Sequence, residues 1–389
     1  MAGIIYMIKS ICVISPEYPS ENRPYTFTFV DQLVCAIADT GIDICVITPH
    51  DLFKCWPNKE HDRIRRSPGG REIKVYSPAA FTLTTRKVGP FNMSLLTEKL
   101  FNRSVKKIIK KNHLSPDILY SHFLFPAGTC AAALGKELGI PSVCAFGESS
   151  LWSIREIGIG KARKNLNLLS GMVAVSTNNK NVLIDNRLIA EEKIRVIPNA
   201  VNKEIFCPGS KTDARRKLKL PADIVIGLFN GSFSESKGSL RVDEAARDIP
   251  GLKMVYLGGG KEEPMGDNIL FKGRVAHEDV PMWLQAADFF VLPTLEEGCC
   301  NAIVEAMSAG LPVISSDKPF NYDVLDCDSA IMVDPMSVKE IRDAIKRLTE
   351  SEELRNRLSN ASIEKSKDLD IKQRAVKILD FLNQLTIEN

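Results

Sequence analysis

The chain has no apolar run approaching the ~20 residues that a membrane-spanning helix requires. Its first ten residues, MAGIIYMIKS, carry neither a basic opening region nor a small-residue cleavage site, so no secretory leader is expected. The ten cysteines never fall in a C-x-x-C spacing, which removes the common zinc and dithiol patterns. Cys12, Cys35, Cys45, Cys130 and Cys144 lie in apolar segments and read as buried, reduced thiols of a cytoplasmic protein. No strong charge of either sign is present, with 51 Lys+Arg against 48 Asp+Glu and a net of +3, and no nucleic-acid partner is expected. That balance hides a division: residues 1–200 carry a net +9 and the remainder a net −6. What is there is ordinary for a globular chain, 44% hydrophobic and 25% charged, and 389 residues are enough for two cores.

The chain is organised around Val291–Asp317, VLPTLEEGCCNAIVEAMSAGLPVISSD. Phe289 to Leu292 suits a buried strand, and Pro293-Thr294 turns the chain into the acidic pair Glu296-Glu297 and Gly298. A helix is expected over roughly Asn301 to Ala309, closed by Gly310 with Pro312 just beyond, and Val313-Ile314 starts the next strand. Such a strand–loop–helix–strand unit sets free amides of the helix start at the carboxyl edge of a parallel sheet, where an anion is favoured. Two carboxylates bracket that place, Glu297 in the loop and Glu305 on the helix. Carboxylates accept hydrogen bonds from vicinal hydroxyls, so phosphate on the helix end with carboxylates on hydroxyls describes a nucleotide-sugar pocket. The alternative is a buried α/β unit with two incidental glutamates.

Glu297-x7-Glu305, with Ala306-Met307 and Ala309-Gly310-Leu311-Pro312-Val313, resembles the E-x7-E signature of retaining, GT4-type glycosyltransferases (glycosyl transferases group 1). The resemblance implies the GT-B fold: α/β, with two Rossmann-like, doubly wound parallel-sheet domains facing each other across a cleft. It also implies that Glu297 contacts the donor sugar and Glu305 the ribose, while Gly298 and the backbone amides of Cys299, Cys300 and Asn301 form the diphosphate cradle.

In the first half, Ile11–Ser15 and Ile44–Ile47 read as strands flanking a helix from about Thr26 to Thr40, a doubly wound opening. The loop from Pro16 to Pro24 holds no glycine, where relatives often carry a pair. Residues 55–90 read as an excursion around one strand, Ile73–Tyr76. The segment Ser94–His113 places Leu100, Phe101, Val105, Ile108 and Ile109 at helical spacing, with Arg103, Lys106, Lys107, Lys110 and Lys111 opposite. It reads either as a core helix with a solvated face or as a basic helix resting on an anionic membrane surface. His122 ends a strand at the presumed cleft, and SHFLFPAG resembles the family's acceptor-side segment; the alternative is a structural histidine. Phe146 stands where many relatives have a histidine near the reaction centre, which leaves Glu148 as the nearest ionisable acceptor-side or catalytic candidate.

Ile197-Pro198-Asn199-Ala200-Val201-Asn202 and Phe206-Cys207-Pro208 resemble the family's segment closing the first domain, giving domains of 1–203 and 204–369 and a last helix, 370–389, crossing back to the first. In the second domain, Gly231-Ser232-x4-Lys237-Gly238 resembles the motif that sets an Arg and a Lys on the donor phosphates, with Ser232 in the Arg position. Lys237 as an ordinary loop lysine is the alternative. Arg274-Val275 resembles the turn whose backbone meets the base. Gly258-Gly259-Gly260 lacks the spacing of a dinucleotide fingerprint. Asp326-Cys327-Asp328 is a D-x-D with no third ligand nearby and reads as a surface turn, so no metal is expected.

Taken together, the resemblance implies a retaining, metal-independent hexosyltransferase that uses a UDP- or GDP-sugar, needs no further cofactor, and acts on a glycan or lipid-linked acceptor in surface polysaccharide assembly. Two rivals stand beside it: a nucleotide-sugar-binding protein of the same fold that no longer catalyses, and a phosphorylase, hydrolase or epimerase.

Overall fold

The computed structural model describes residues 7–51, 60–80, 87–88, 91–155 and 157–387. The chain divides into two compact units, residues 1–198 with 371–389, and residues 199–370. Of the excursion expected around residues 55–90, residues 55–59, 81–86 and 89–90 lie outside the described residues, and the strand expected within it is present as Glu72–Tyr76.

In the first unit eight strands form one sheet: β1 Ser10–Ile14, β2 Asp43–Ile47, β3 Arg63–Arg66, β4 Glu72–Tyr76, β5 Ile118–His122, β6 Ser142–Phe146, β7 Gly171–Ala174 and β8 Ile194–Val196. Their order is β8-β7-β6-β5-β1-β2-β4-β3, parallel throughout except for β3, which pairs antiparallel with β4. The central strands are continuous apolar runs such as Cys12-Val13-Ile14 because helices cover both faces of a parallel sheet. The edge strand Arg63-Ile64-Arg65-Arg66 has no such run, and its charge is what hid it in the sequence. Helix Thr28–Ala38 packs beside the last helix, Ile371–Ile387, in one core cluster. That packing is why the terminal residues belong to this unit.

The second unit holds six parallel strands: β9 Val225–Asn230, β10 Leu252–Leu257, β11 Ile269–Gly273, β12 Phe289–Leu292, β13 Val313–Ser316 and β14 Ala330–Val333. The order is β11-β10-β9-β12-β13-β14, the doubly wound arrangement with its reversal between β9 and β12. The expected strands and helices of this half are present within a few residues of their read positions. Helix Asn301–Ser308 ends at Ala309, and Gly310 follows with φ of 82°, a conformation that a Cβ would strain. Ser337 and Ser351 cap the two charged helices Val338–Glu350 and Glu352–Ser366, each accepting from the amide three residues on. Asp288, just before β12, accepts from Arg215 Nη2 at 2.6 Å and from the Ile226 amide at 2.7 Å, pinning helix Lys211–Leu218 to the sheet.

The second unit begins at Asn199, a few residues before the boundary read from the sequence. Two contacts account for this. Asn199 Nδ2 donates to the Cys299 carbonyl at 3.0 Å, and the Val201 amide donates to the Leu369 carbonyl at 3.0 Å.

Candidate functional site

Where β9 and β12 diverge, their carboxyl ends open into two loops, Gly231–Gly238 and Pro293–Cys300. The loops are tied together: the Leu295 amide donates to the Ser236 carbonyl at 2.8 Å, and Arg241 Nη2 donates to the Pro293 carbonyl at 3.2 Å. Across them Lys237 Nζ contacts Glu297 Oε1 in an ion pair whose side chains are mostly buried. Burial works against the lysine's charge, but the groups facing it, Glu297 among them, outweigh that and raise its pKa. Lys237 is therefore cationic at any working pH. The sequence suggested the two residues separately; the structure brings them into contact.

Helix Asn301–Ser308 starts beside this pair. Its N-cap is Cys300, whose side chain makes no capping hydrogen bond, so no side chain competes there for an incoming anion. Gly298, Cys299 and Cys300 are buried, and burial pushes the Cys300 thiol up, so it stays neutral. Asn301 is half-buried, and its Oδ1 is buried without a hydrogen-bond partner among the described residues. Asn199, through its bond to the Cys299 carbonyl, fixes the loop that delivers these amides. The sequence offered Asn199 only as part of a boundary motif, because its partner lies a hundred residues on.

Glu305 lies on the same helix with its side chain 10% exposed, and His277 Nε2 sits 3.4 Å from its Oε1. The Glu305 carboxylate raises the His277 pKa. No local sequence pattern links His277 to Glu305; the fold brings the turn after β11 beside helix Asn301–Ser308.

Ser232 is exposed, and its hydroxyl lies 3.0 Å from that of Ser234. Gly231 follows the last residue of β9, and Arg274 and Val275 follow β11, Arg274 exposed and Val275 half-buried. Two of the three glycines after β10 are needed sterically: a Cβ on Gly258 would meet the Gly231 carbonyl oxygen and one on Gly260 that of Phe233, whereas one on Gly259 would meet only the exposed, movable Arg274 side chain. A cavity of about 210 Å³ lined by Lys211, Gln285, Gly310 and Arg355 lies at the other end of helix Asn301–Ser308, away from these groups.

Asp326 is used up locally. It accepts from the Ser329 amide at 2.9 Å and the Ser329 hydroxyl at 2.8 Å, and it pairs with Lys365. Burial pushes its pKa up, but Lys365 and Ser329 more than offset that and hold it at about 2. Among the described residues no group of three or more His, Cys, Asp or Glu is placed to hold a metal ion.

The matching edge of the first sheet is different in kind. His122 ends β5 and is buried against Tyr120, Phe29 and Phe123, with ring centroids 5.2, 6.2 and 6.4 Å away. Burial, helped by the charge of Arg374, lowers its pKa to about 3, and Nε2 has no partner. Glu148 is buried after β6. Its Oε1 accepts from the Leu124 amide at 2.9 Å and the Ser153 hydroxyl at 3.2 Å, its Oε2 has no partner, and burial raises its pKa to about 7. Phe146 is fully buried in the core, with no access to a ligand. In helix Met93–Lys111, Phe101, Val105, Ile108 and Ile109 are core residues, so the apolar stripe is already covered. Arg103, Lys107, Lys110 and Lys111 are exposed, and Lys106 pairs with Glu137.

A doubly wound second sheet, an uncapped helix start beside a lysine and two carboxylates each facing a basic group make an arrangement able to accept an anion beside hydroxyl groups. Comparison with known proteins narrows that reading. The Glyco_transf_4 family, "Glycosyltransferase Family 4", matches residues 26–205, and "Glycosyl transferases group 1" matches residues 210–365. The chain is 26% identical over 355 residues to a putative teichuronic acid biosynthesis glycosyltransferase of Bacillus subtilis, covering 86% of this chain and 87% of that one. It is 26% identical over 328 residues to the UDP-Gal:alpha-D-GlcNAc-diphosphoundecaprenol alpha-1,3-galactosyltransferase of Escherichia coli, covering 76% and 82%. In structure it resembles sucrose-phosphate synthase from Thermosynechococcus elongatus, with a TM-score of 0.80, 20% identity and 98% and 100% coverage. It also resembles Anabaena HepE solved in complex with UDP and glucose, with a TM-score of 0.71, 16% identity and 97% and 100% coverage. The chain belongs to the GT4-type, group 1 glycosyltransferases and has their GT-B fold.

Proposed function

We propose that this glycosyltransferase moves a hexose from a UDP- or GDP-sugar to a glycan or lipid-linked acceptor in surface polysaccharide assembly, keeping the anomeric configuration. The observation that carries the reading is the meeting of Lys237, Glu297 and the uncapped start of helix Asn301–Ser308 at the reversal between β9 and β12. In it the helix-start amides at Cys299 to Asn301 and the Lys237 ammonium receive the departing diphosphate, through a transition state that develops charge there. Glu297, held on one oxygen by Lys237, turns the other toward the sugar hydroxyls, and Glu305 takes the ribose. Gly231, Ser232 and Gly298 border the phosphates; Arg274 and Val275 border the base. No metal and no further cofactor is assigned a step, because one ammonium and the amides supply the electrostatic work.

On the acceptor side the reading assigns the edge bearing His122 and Glu148. His122, kept neutral by burial, shapes the wall, while Glu148, with a pKa near neutrality, is the one able to exchange a proton. The leaving phosphate oxygen takes the acceptor's proton. One relative is named for teichuronic acid biosynthesis and another for galactosyl transfer to GlcNAc-diphosphoundecaprenol, which supports the acceptor class. The exposed cations of helix Met93–Lys111 offer a contact with an anionic cytoplasmic membrane face through charge alone. No helix among the described residues is long and apolar enough to cross a membrane.

The test is a thermal-shift panel of UDP, GDP, ADP and their common sugar conjugates on the wild type and Glu305→Ala. A ligand at a hundred times its Kd stabilises by about 2.7 kcal/mol, an easily read rise. One nucleotide class should raise the wild type's melting temperature and leave Glu305→Ala unmoved; a flat panel overturns the donor site. The non-catalytic rival is favoured by one observation, that Lys237, the cation of the Gly231–Gly238 motif, is already paired. Binding without sugar transfer to any acceptor would select it.

A further inference from the structure

We infer that His277 is a positioning residue for the donor's ribose: it holds Oε1 of Glu305 so that Oε2 faces the vicinal hydroxyls. The inference rests on the nucleotide-sugar reading above. The Glu305 carboxylate is nearly buried, and His277 Nε2, at 3.4 Å, is its one side-chain partner among the described residues. A glutamate side chain left untethered would sample several rotamers, and ordering it on ligand binding would weaken that binding. Anchoring one oxygen in advance removes most of that loss, provided the anchor is itself fixed.

His277 is fixed. It opens the short turn His277–Asp279, which runs directly into helix Val280–Ala286 with Pro281 in its first turn. Its ring meets the Phe206 ring edge-on, with centroids 5.6 Å apart and planes at 72°, and Phe206 is 1% exposed and cannot yield. The charged groups facing the imidazole are Glu305 and, from its own turn, Glu278. Holding Glu305 requires a proton on Nε2, which the imidazolium and the Nε2–H tautomer both have, so the anchor persists through neutrality.

A second consequence follows from charge. A bare carboxylate close to a diphosphate would repel the ligand it is meant to orient. When His277 is protonated, its charge offsets part of that repulsion while leaving Oε2 free to accept.

The experiment measures Kd by calorimetry for whichever of UDP or GDP the wild type binds, and for its 2′,3′-dideoxy analogue. His277→Ala is expected to weaken the ribonucleotide about tenfold and the dideoxy analogue less than twofold, because the hydroxyls are what the anchored carboxylate reads. His277→Gln keeps an N–H donor and should fall within about threefold of wild type, with an unliganded melting temperature that controls for folding. In turnover the donor KM rises while kcat stays close to wild type. Equal losses for both nucleotides, or no loss in His277→Ala, overturn the positioning role. If the wild type binds neither nucleotide, the donor reading itself falls, and this inference with it.

Discussion

The two sheets share a strand order around their reversal points but treat ionisable side chains in opposite ways. At the edge of the second sheet a basic side chain meets a carboxylate twice, Lys237 with Glu297 and His277 with Glu305, both pairs retaining some exposure. At the edge of the first, His122 and Glu148 are buried, each with an atom that finds no partner, and each is driven toward its neutral form. The difference teaches which edge is built around charge. A diphosphate is an obligate anion and needs preformed cations and amides. An edge that suppresses its charges suits a neutral, hydroxyl-rich molecule.

The sharpest way to break that contrast is Lys237→Ala. If the second edge works through charge developing on a leaving diphosphate, kcat/KM should fall by about 10²–10³, as for loss of one preorganised donor. Lys237→Arg should recover part of it. Loss of Lys237 also leaves Glu297 without its anchor, so Glu297→Gln in the Lys237→Ala background should add less than it does alone. Steady-state kinetics on the four proteins decides the matter; full additivity would mean that the observed ion pair has no part in turnover.

At the first edge the contrast predicts pH effects on stability that run in opposite directions. His122 has a folded pKa of about 3, below its ordinary value. As pH falls below about 6.5, the unfolded chain takes up a proton that the folded one refuses, so stability drops, by about 1.4 kcal/mol for each unit of pH. Glu148 is raised to about 7. Its contribution is complete at low pH and fades as pH rises from about 4.5 through 7, because the unfolded carboxyl ionises first; the total is at most about 3 kcal/mol. Denaturant titrations from pH 4 to 8 check both. His122→Phe should flatten the acid fall. Glu148→Gln should be less stable than wild type near pH 5, where it exchanges a neutral acid for a buried amide, and should lose that deficit by pH 8. A wild type whose stability does not change between pH 4.5 and 6.5 is compatible with the two effects cancelling, so the single variants carry the decision.

How much of this could be read from the sequence follows from the same contrast. Glu297 and Glu305 lie within nine residues, so one strand, one turn and two helical turns set their geometry, and the spacing alone exposes it. The alternation of apolar runs with helical segments exposed both sheets for the same local reason. Lys237 was found as a motif lysine, but its pairing with Glu297 was not, because it depends on which strands are neighbours. His277 was missed outright. It serves Glu305 from the loop after β11, the far edge strand of the sheet, and nothing in the local pattern marks it. At the first edge, Glu148 was picked as the ionisable group nearest to a missing histidine. That Leu124 and Ser153 tie it down, and that Arg374 from the last helix weighs on His122, are facts of packing over long stretches of chain.

The smallest effect belongs to Asp326, and it tests the boundary of the charged edge. The D-x-D at Asp326-Cys327-Asp328 reads as a surface turn in sequence, and in the structure the Asp326 carboxylate is spent on Ser329 and Lys365. Lys365 is only partly buried, so the pair itself contributes little, and most of the loss in Asp326→Asn should come from the weaker cap on Ser329. A melting shift equivalent to about 0.5–1 kcal/mol is expected, with donor KM and kcat unchanged. The sign with pH is fixed by the carboxyl's depressed value of about 2. The stabilisation is complete above the ordinary carboxylate range and disappears as pH falls toward 2, so wild type and variant should converge in strong acid. A large loss of turnover with a normal melting temperature would extend the working charge to this loop. An unchanged rate confines it to the two anchored glutamates and the lysine beside the helix start.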